Sequence, residues 1–191
     1  MTQQLVKEAT GADRVVTFDH TLRESGQANL NAVDGKSAAG AVVRVHGDYT
    51  PASGPTRLRM LNESGRVDAA VPSRYAFVNV WRNIDRERPV LANPLAVCAP
   101  YSIDLADAWP YLMMYPDRVG ENYALKNESA DAHQWFYYPL MVADEALLFK
   151  VFDSAPDETR FVFHSAFEDP STPADAPPRR SVEVRTIALW D

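Results

Sequence analysis

The tripeptide His46-Gly47-Asp48 sets an imidazole and a carboxylate two residues apart. Side chains on an extended chain alternate between faces, so these two groups share one. A second imidazole far along the chain, His164, can complete a face of three donors. Two imidazoles and one carboxylate with open positions opposite them form the ligand set of non-haem Fe(II) oxygenases. Imidazole suits Fe(II), and the single carboxylate lowers the net charge of the site. Beyond His164 stands Arg179-Arg180-Ser181. Arg179 and Ser181 are two apart and share a face, whereas Arg180 points the other way on a regular strand. A guanidinium grips a carboxylate bidentately and a hydroxyl adds one more bond, which is what the distal carboxylate of an acidic cosubstrate requires.

The sequence has four histidines. His20, beside Asp19, and His133, at the head of an aromatic cluster, are the alternatives to the chosen pair. No catalytic side chain beyond the three ligands is expected. Tyr49, Asn79, Trp81, His133 and Tyr137 are the candidate walls of a substrate pocket, because aromatic and amide groups suit a small organic molecule.

The elements that must position these groups read mostly as strands. Arg74 to Trp81 alternates, with Tyr75, Phe77, Asn79 and Trp81 on one face and Ala76, Val78 and Val80 on the other. Arg14 to Phe18, Ala41 to Thr50, Leu95 to Cys98 and Tyr111 to Tyr115 are further strand candidates. Gln134 to Tyr138, Ala146 to Phe152, Phe161 to Phe167 and Ser181 to Leu189 complete the set. Helix is scarce, with Pro55 to Leu61 and Ser102 to Ala108 the best short stretches. Pro170 to Pro178 holds four prolines and reads as an irregular loop before the last strand. Many short strands divided by Pro and Gly predict a mainly β fold, a double-sheet jelly roll of the cupin-like kind with a few short helices. Nothing divides residues 1–191, so one domain is expected.

With 191 residues, 46% of them apolar, the chain can bury a core of its own. Its net charge of −7 argues against nucleic acid or an anionic membrane as partner. The longest apolar runs are too short to span a bilayer, and the N-terminus carries no signal-peptide pattern, so a cytoplasmic location is the expectation. Cys98 is the single cysteine, which leaves no intrachain disulfide. Hydrolysis finds no support, since Gly-x-Ser-x-Gly, His-Glu-x-x-His and a phosphate-cradling glycine loop are all lacking.

The longer segments resemble a known family. They are Phe18-Asp19-His20-Thr21-Leu22-Arg23, Val45-His46-Gly47-Asp48-Tyr49-Thr50 and Asn79-Val80-Trp81-Arg82. To these add His133-Gln134-Trp135-Phe136-Tyr137-Tyr138-Pro139, His164-Ser165-Ala166-Phe167-Glu168-Asp169-Pro170 and Arg179-Arg180-Ser181-Val182-Glu183-Val184-Arg185. Together they are similar to the bacterial and fungal oxygenases grouped around the fungal gibberellin desaturase, the cephamycin methoxylation helper protein and the meroterpenoid oxygenases. The resemblance runs from about Gly11 to Arg185. It implies a double-stranded β-helix that uses Fe(II), 2-oxoglutarate and dioxygen to hydroxylate or desaturate a small molecule of secondary metabolism. It places iron on His46, Asp48 and His164, and 2-oxoglutarate on Arg179 with Ser181. It also brings a homodimer into the expected partners. Two departures stand out: the region before Phe18 is short for the family, and Trp81-Arg82-Asn83 lacks the proline that tends to follow the Trp-Arg pair. Two other readings use the same residues. One is an iron oxidase that does without 2-oxoglutarate, in which Arg179 and Ser181 grip the substrate. The other is a jelly-roll binding or accessory protein without turnover.

Overall fold

The stretch Arg74–Asn83 is buried along almost all of its length, on both faces. A strand of that kind must lie inside a sheet that is itself covered on both sides. The computed structural model describes residues 1–27, 38–68, 72–115 and 118–191. In chain order the elements are α1 (Thr2–Thr10), β1 (Arg14–Glu24), β2 (His46–Gly47), α2 (Ser53–Glu63), β3 (Arg74–Asn83) and β4 (Leu95–Cys98). There follow β5 (Ala108–Met114), β6 (Val119–Leu125), β7 (Trp135–Tyr137), β8 (Leu147–Asp153), β9 (His164–Ala166) and β10 (Arg180–Trp190). Single 3-10 turns lie at Pro100–Ser102, Leu105–Asp107 and Ala130–Ala132.

The strands form two antiparallel sheets, one in the order β1-β10-β3-β8 and the other in the order β5-β6-β2-β9-β4-β7. The first sheet has two distinct faces. Ala76, Val78, Val80 and Ala188 pack with Val6, Ala12 and Val15 beneath α1. The other face carries Tyr75, Phe77, Trp81, Ile187 and Leu189, which join Phe149 and Phe152 of β8 in the main core. The alternation along β3 therefore sorts its residues as the sequence implies. The second sheet also has two faces, since Phe161 and Phe163 pack with Cys98 in a separate cluster while His164 turns the other way, onto Phe149. The result is a jelly roll in which the two sheets face each other.

On β10 one face changes character along its length. Arg179, just before the strand, is buried, as are Ser181 and Glu183; further along the same face Ile187 and Leu189 are fully buried. Alternation puts all of them on the inner side with Arg185 between. One end of the inter-sheet space is thus charged and the other apolar.

Several expectations need correction. Only His46–Gly47 of the stretch Ala41 to Thr50 pairs as a strand. The chain leaves the sheet because the Thr50 hydroxyl accepts from the amides of Ala52 and Ser53, which turns it into α2. Ser102 to Ala108 is not a helix but a pair of 3-10 turns with extended residues between them. Asp104 caps the second by accepting from the Ala106 amide. Helix α1 and strand β6 were not expected at all. The helix expected at Pro55 to Leu61 lies within α2, and the proline-rich loop before β10 is present. Among the described residues, no helix is long and apolar enough to cross a membrane.

Candidate metal centre

His46 and His164 are direct cross-strand partners on β2 and β9, so two imidazoles from remote parts of the chain rise side by side from one sheet face. Their ring centroids are 4.3 Å apart. Gly47 separates His46 from Asp48 and faces the opposite side, where a Cβ would come within 3.3 Å of the Phe161 ring. Any larger residue there would press on the Phe161–Tyr123 stack and tilt the pair it joins.

The donor atoms converge. His46 Nε2 lies 3.6 Å from Asp48 Oδ1, and His164 Nε2 lies 3.8 Å from the same oxygen. One ligand atom from each residue falls within 4.8 Å of the others, a spacing that can hold a metal ion. His46 Nδ1 donates to the Arg44 carbonyl at 2.8 Å, and His164 Nδ1 faces the Val162 carbonyl at 3.4 Å. A carbonyl only accepts, so both rings carry the proton on Nδ1 and leave the Nε2 lone pair for a cation. Asp48 Oδ2 accepts from the Asn79 amide at 2.9 Å, which leaves Oδ1 toward the imidazoles.

Electrostatics set the same protonation. Burial, then the neighbouring His164, pushes His46 down to about 4 against the pull of Asp48, so the ring is neutral near pH 7. Burial pushes the Asp48 carboxyl up, but its electrostatic coupling to His164 and His46, the charge of Arg185 and the Asn79 hydrogen bond hold it below the usual carboxylate range. A neutral imidazole and an ionised carboxylate are the forms that ligate. The donor chemistry therefore fits Fe(II).

A small pocket, partly open to solvent, adjoins this face. His46, His164, Trp81, Arg179, Arg23 and Glu183 line it. Arg179 is 4% exposed. Its backbone amide donates to Ser25 Oγ at 2.7 Å, and its guanidinium lies over the Trp81 ring at 5.4 Å. Its Nη1 donates to the carbonyl of Asn93, a residue in the left-handed region (φ 47°) that asparagine tolerates. Among the described residues, Arg179 Nε and Ser181 Oγ are buried without a partner. Such groups are costly to bury unless a ligand satisfies them.

The wall candidates scatter. Trp81 lines the pocket. Asn79 is fully buried and spent on Asp48, so it orients a ligand atom rather than forming a wall. Tyr49 stacks on Phe77 at the rim of the main core. Tyr137 sits exposed on the edge strand β7, bonded to Asp169 at 3.3 Å, because alternation puts it with Trp135 on the face of the second sheet opposite His164. His133 follows a 3-10 turn and is not among the residues lining the pocket, and His20 is exposed on β1. The sequence reading missed Arg23 and Glu183. The signal for Glu183 was its place two residues after Ser181; for Arg23 there was none short of strand pairing.

Comparison with known proteins follows the same line. A family model described as "Oxidoreductase/YMDC permease-like domain" matches residues 1–189. The chain is 29% identical to a hydroxylase/desaturase of Hormonema carpetanum, over 98% of its own length and 68% of that protein. It is 30% identical to an Fe(II)/2-oxoglutarate-dependent dioxygenase of Aspergillus novofumigatus, over 97% of its length and 63% of that protein. An alpha-ketoglutarate-dependent dioxygenase from a fungal species is 30% identical, over 98% and 67%. The solved structure of the iron and alpha-ketoglutarate-dependent endoperoxidase NvfI superposes with a TM-score of 0.81 at 30% identity. That match covers 98% of this chain and 66% of that one. The chain spans about two thirds of the length of these relatives.

Proposed function

We propose, given that the chain belongs to the family of Fe(II)/2-oxoglutarate-dependent oxygenases to which these relatives belong, that it hydroxylates or desaturates a small molecule of secondary metabolism. In this reading His46, Asp48 and His164 hold the iron, and Arg179 with Ser181 holds the distal carboxylate of 2-oxoglutarate. The observation that carries it is the convergence of two Nε2 atoms and one carboxylate oxygen beside a pocket that ends on a buried, incompletely bonded arginine.

Bound iron with 2-oxoglutarate and dioxygen supplies an oxidant able to break an unactivated C–H bond, with succinate and carbon dioxide as coproducts. The chain's own residues supply placement. The carbonyls of Arg44 and Val162 fix the imidazole tautomers, and the Asn79 amide fixes the carboxylate. Because His46 is already neutral near pH 7, it gives up no proton when it ligates. Trp81 and Leu95 form apolar walls that keep water from the reacting atoms. Arg179, held in place by Asn93, Ser25 and Trp81, meets a carboxylate with little loss of side-chain freedom.

The test is anaerobic loading with Fe(II), calorimetric titration with 2-oxoglutarate, then exposure to air with succinate and dioxygen uptake measured. One iron per chain and 2-oxoglutarate-dependent uptake are expected. His164→Ala should lose the iron while keeping the circular dichroism of the parent. Full iron content in His164→Ala would remove the metal assignment. Oxygen uptake that ignores 2-oxoglutarate would favour the iron oxidase.

A further inference from the structure

The inner face of the first sheet holds more charge around the pocket than one anchoring arginine needs. Arg23, near the end of β1, is paired across the ladder with Ser181 of β10 and lines the same pocket as Arg179. The backbone fixes it there: β1 bridges to Ala39 at Arg23, and Arg23 Nη1 donates to the Gly40 carbonyl at 2.9 Å. Glu183, the next inward residue on β10, also lines the pocket and is gripped by Arg185 Nη2 at 2.7 Å. Arg185 is steadied in turn by Thr21 at 2.7 Å.

Arg23 and Arg179 are close enough to act on one another. Burial, then the charge of Arg23, lowers Arg179 to about 10, with Glu183 opposing. Two guanidinium groups in one poorly solvated wall repel unless an anion sits between them. Two of the buried polar atoms that lack a partner among the described residues, Arg179 Nε and Ser181 Oγ, mark where it would sit. Ser181 is the residue that faces Arg23 across the strands. Two guanidinium groups and a hydroxyl on one wall have the donors to meet the two oxygens of a carboxylate.

We propose that Arg23 is the second arm of the cosubstrate clamp, closing from β1 on the distal carboxylate that Arg179 and Ser181 hold from β10. This rests on the 2-oxoglutarate reading above and adds to it a residue on another strand. Arg23 reads only the far end of the acid, so its effect separates the two carboxylates of 2-oxoglutarate.

The experiment is anaerobic calorimetry on the Fe(II)-loaded protein with 2-oxoglutarate and with 2-oxopentanoate, which keeps the chelating end and lacks the distal carboxylate. Arg23→Gln should weaken 2-oxoglutarate about 10- to 100-fold and change 2-oxopentanoate by less than about twofold. Arg23→Lys, which keeps the charge and loses the fork, should weaken 2-oxoglutarate about fivefold and spare 2-oxopentanoate; it carries the test alone if the glutamine variant does not fold. Unchanged 2-oxoglutarate affinity in both variants would overturn the proposal. Equal losses for both acids would also overturn it, making Arg23 a counter-ion of Glu183. Parent protein that binds neither acid, or both alike, would remove the 2-oxoglutarate reading first and this one with it.

Discussion

Two buried carboxylates, Asp153 and Asp48, show how differently one chain treats the same group. Asp153 closes β8 with its side chain 0% exposed. Arg74 donates to it at 3.1 and 2.6 Å, Lys150 at 2.8 Å and the Ala155 amide at 3.0 Å, so both oxygens are saturated. Asp48 is 15% exposed. It receives one amide on Oδ2, while its other oxygen faces two imidazole nitrogens at 3.6 and 3.8 Å, beyond hydrogen-bond reach. Both carboxyls are held below their usual range against the upward push of burial, Asp153 by donated hydrogen bonds and Asp48 chiefly by its electrostatic coupling to the two imidazoles. The first cluster is complete within the protein and serves the fold. The second is built a ligand short, which is the mark of a site that binds a cation.

The same substitution at the two positions should part them most widely. Asp48→Asn is expected to reduce iron affinity by more than about a hundredfold, beyond the usual loss when only a residue orienting a ligand is removed. Succinate formation should vanish with the iron, and the melting temperature of the metal-free protein should scarcely move. Iron content measured after gel filtration, with a melting curve, checks both halves. Asp153→Asn should do the reverse. It leaves Arg74 and Lys150 short of a buried partner and costs about 2–3 kcal/mol, at the low end because both cations reach solvent. Denaturant unfolding measures that loss, and unchanged iron stoichiometry would keep the two clusters distinct; lost iron would merge them. Asn79→Ala is milder, with iron affinity reduced about 10- to 100-fold and Asp48 freed to rotate. Competition with a graded set of chelators reads it, and an unchanged affinity would return Asn79 to a purely structural part.

Acid should also distinguish the clusters. Folded His46 stays neutral down to about 4, whereas the unfolded ring takes up its proton near 6.5. Between those values the unfolded chain binds more protons, so the metal-free protein loses stability as pH falls from 6.5 toward 4, by at most about 1.4 kcal/mol per pH unit. Above 6.5 this contribution is fully present. Asp153 acts lower, since a depressed carboxyl withdraws its support only as pH falls below the ordinary value of 3.8. Unfolding free energies from pH 7 to 4 should slope in the parent and flatten in His46→Gln, with Asp153→Asn parallel to the parent.

Much of the fold and half of the site were legible in the chain. The alternation along Arg74–Asn83 marks which residues enter the core, and the His-x-Asp pair with its distant histidine marks the candidate metal face. What escaped did so for physical reasons. Helix α1 has nine residues, with Leu5, Val6 and Ala9 its only apolar side chains, too few to set a helical period in the sequence. Strand β6 (Val-Gly-Glu-Asn-Tyr-Ala-Leu) is half exposed throughout and lacks a clean alternation. Arg23 looks like a solvated charge between Leu22 and Glu24, and only its pairing with Ser181 brings it to the pocket. Asn79 sits among the inward residues of β3, but sequence alone could not tell that it would meet Asp48 rather than a substrate.

The pairing of His46 with His164 has a consequence for how the chain is assembled. Strands β2 and β9 are short, so their own ladder hydrogen bonds specify alignment weakly. A slip by one position would turn one imidazole to the far side, and the chelating face would be lost. Cation uptake during refolding therefore acts as a proofreader: only molecules zipped in the native alignment can take it up, and once loaded they are the ones that resist coming apart.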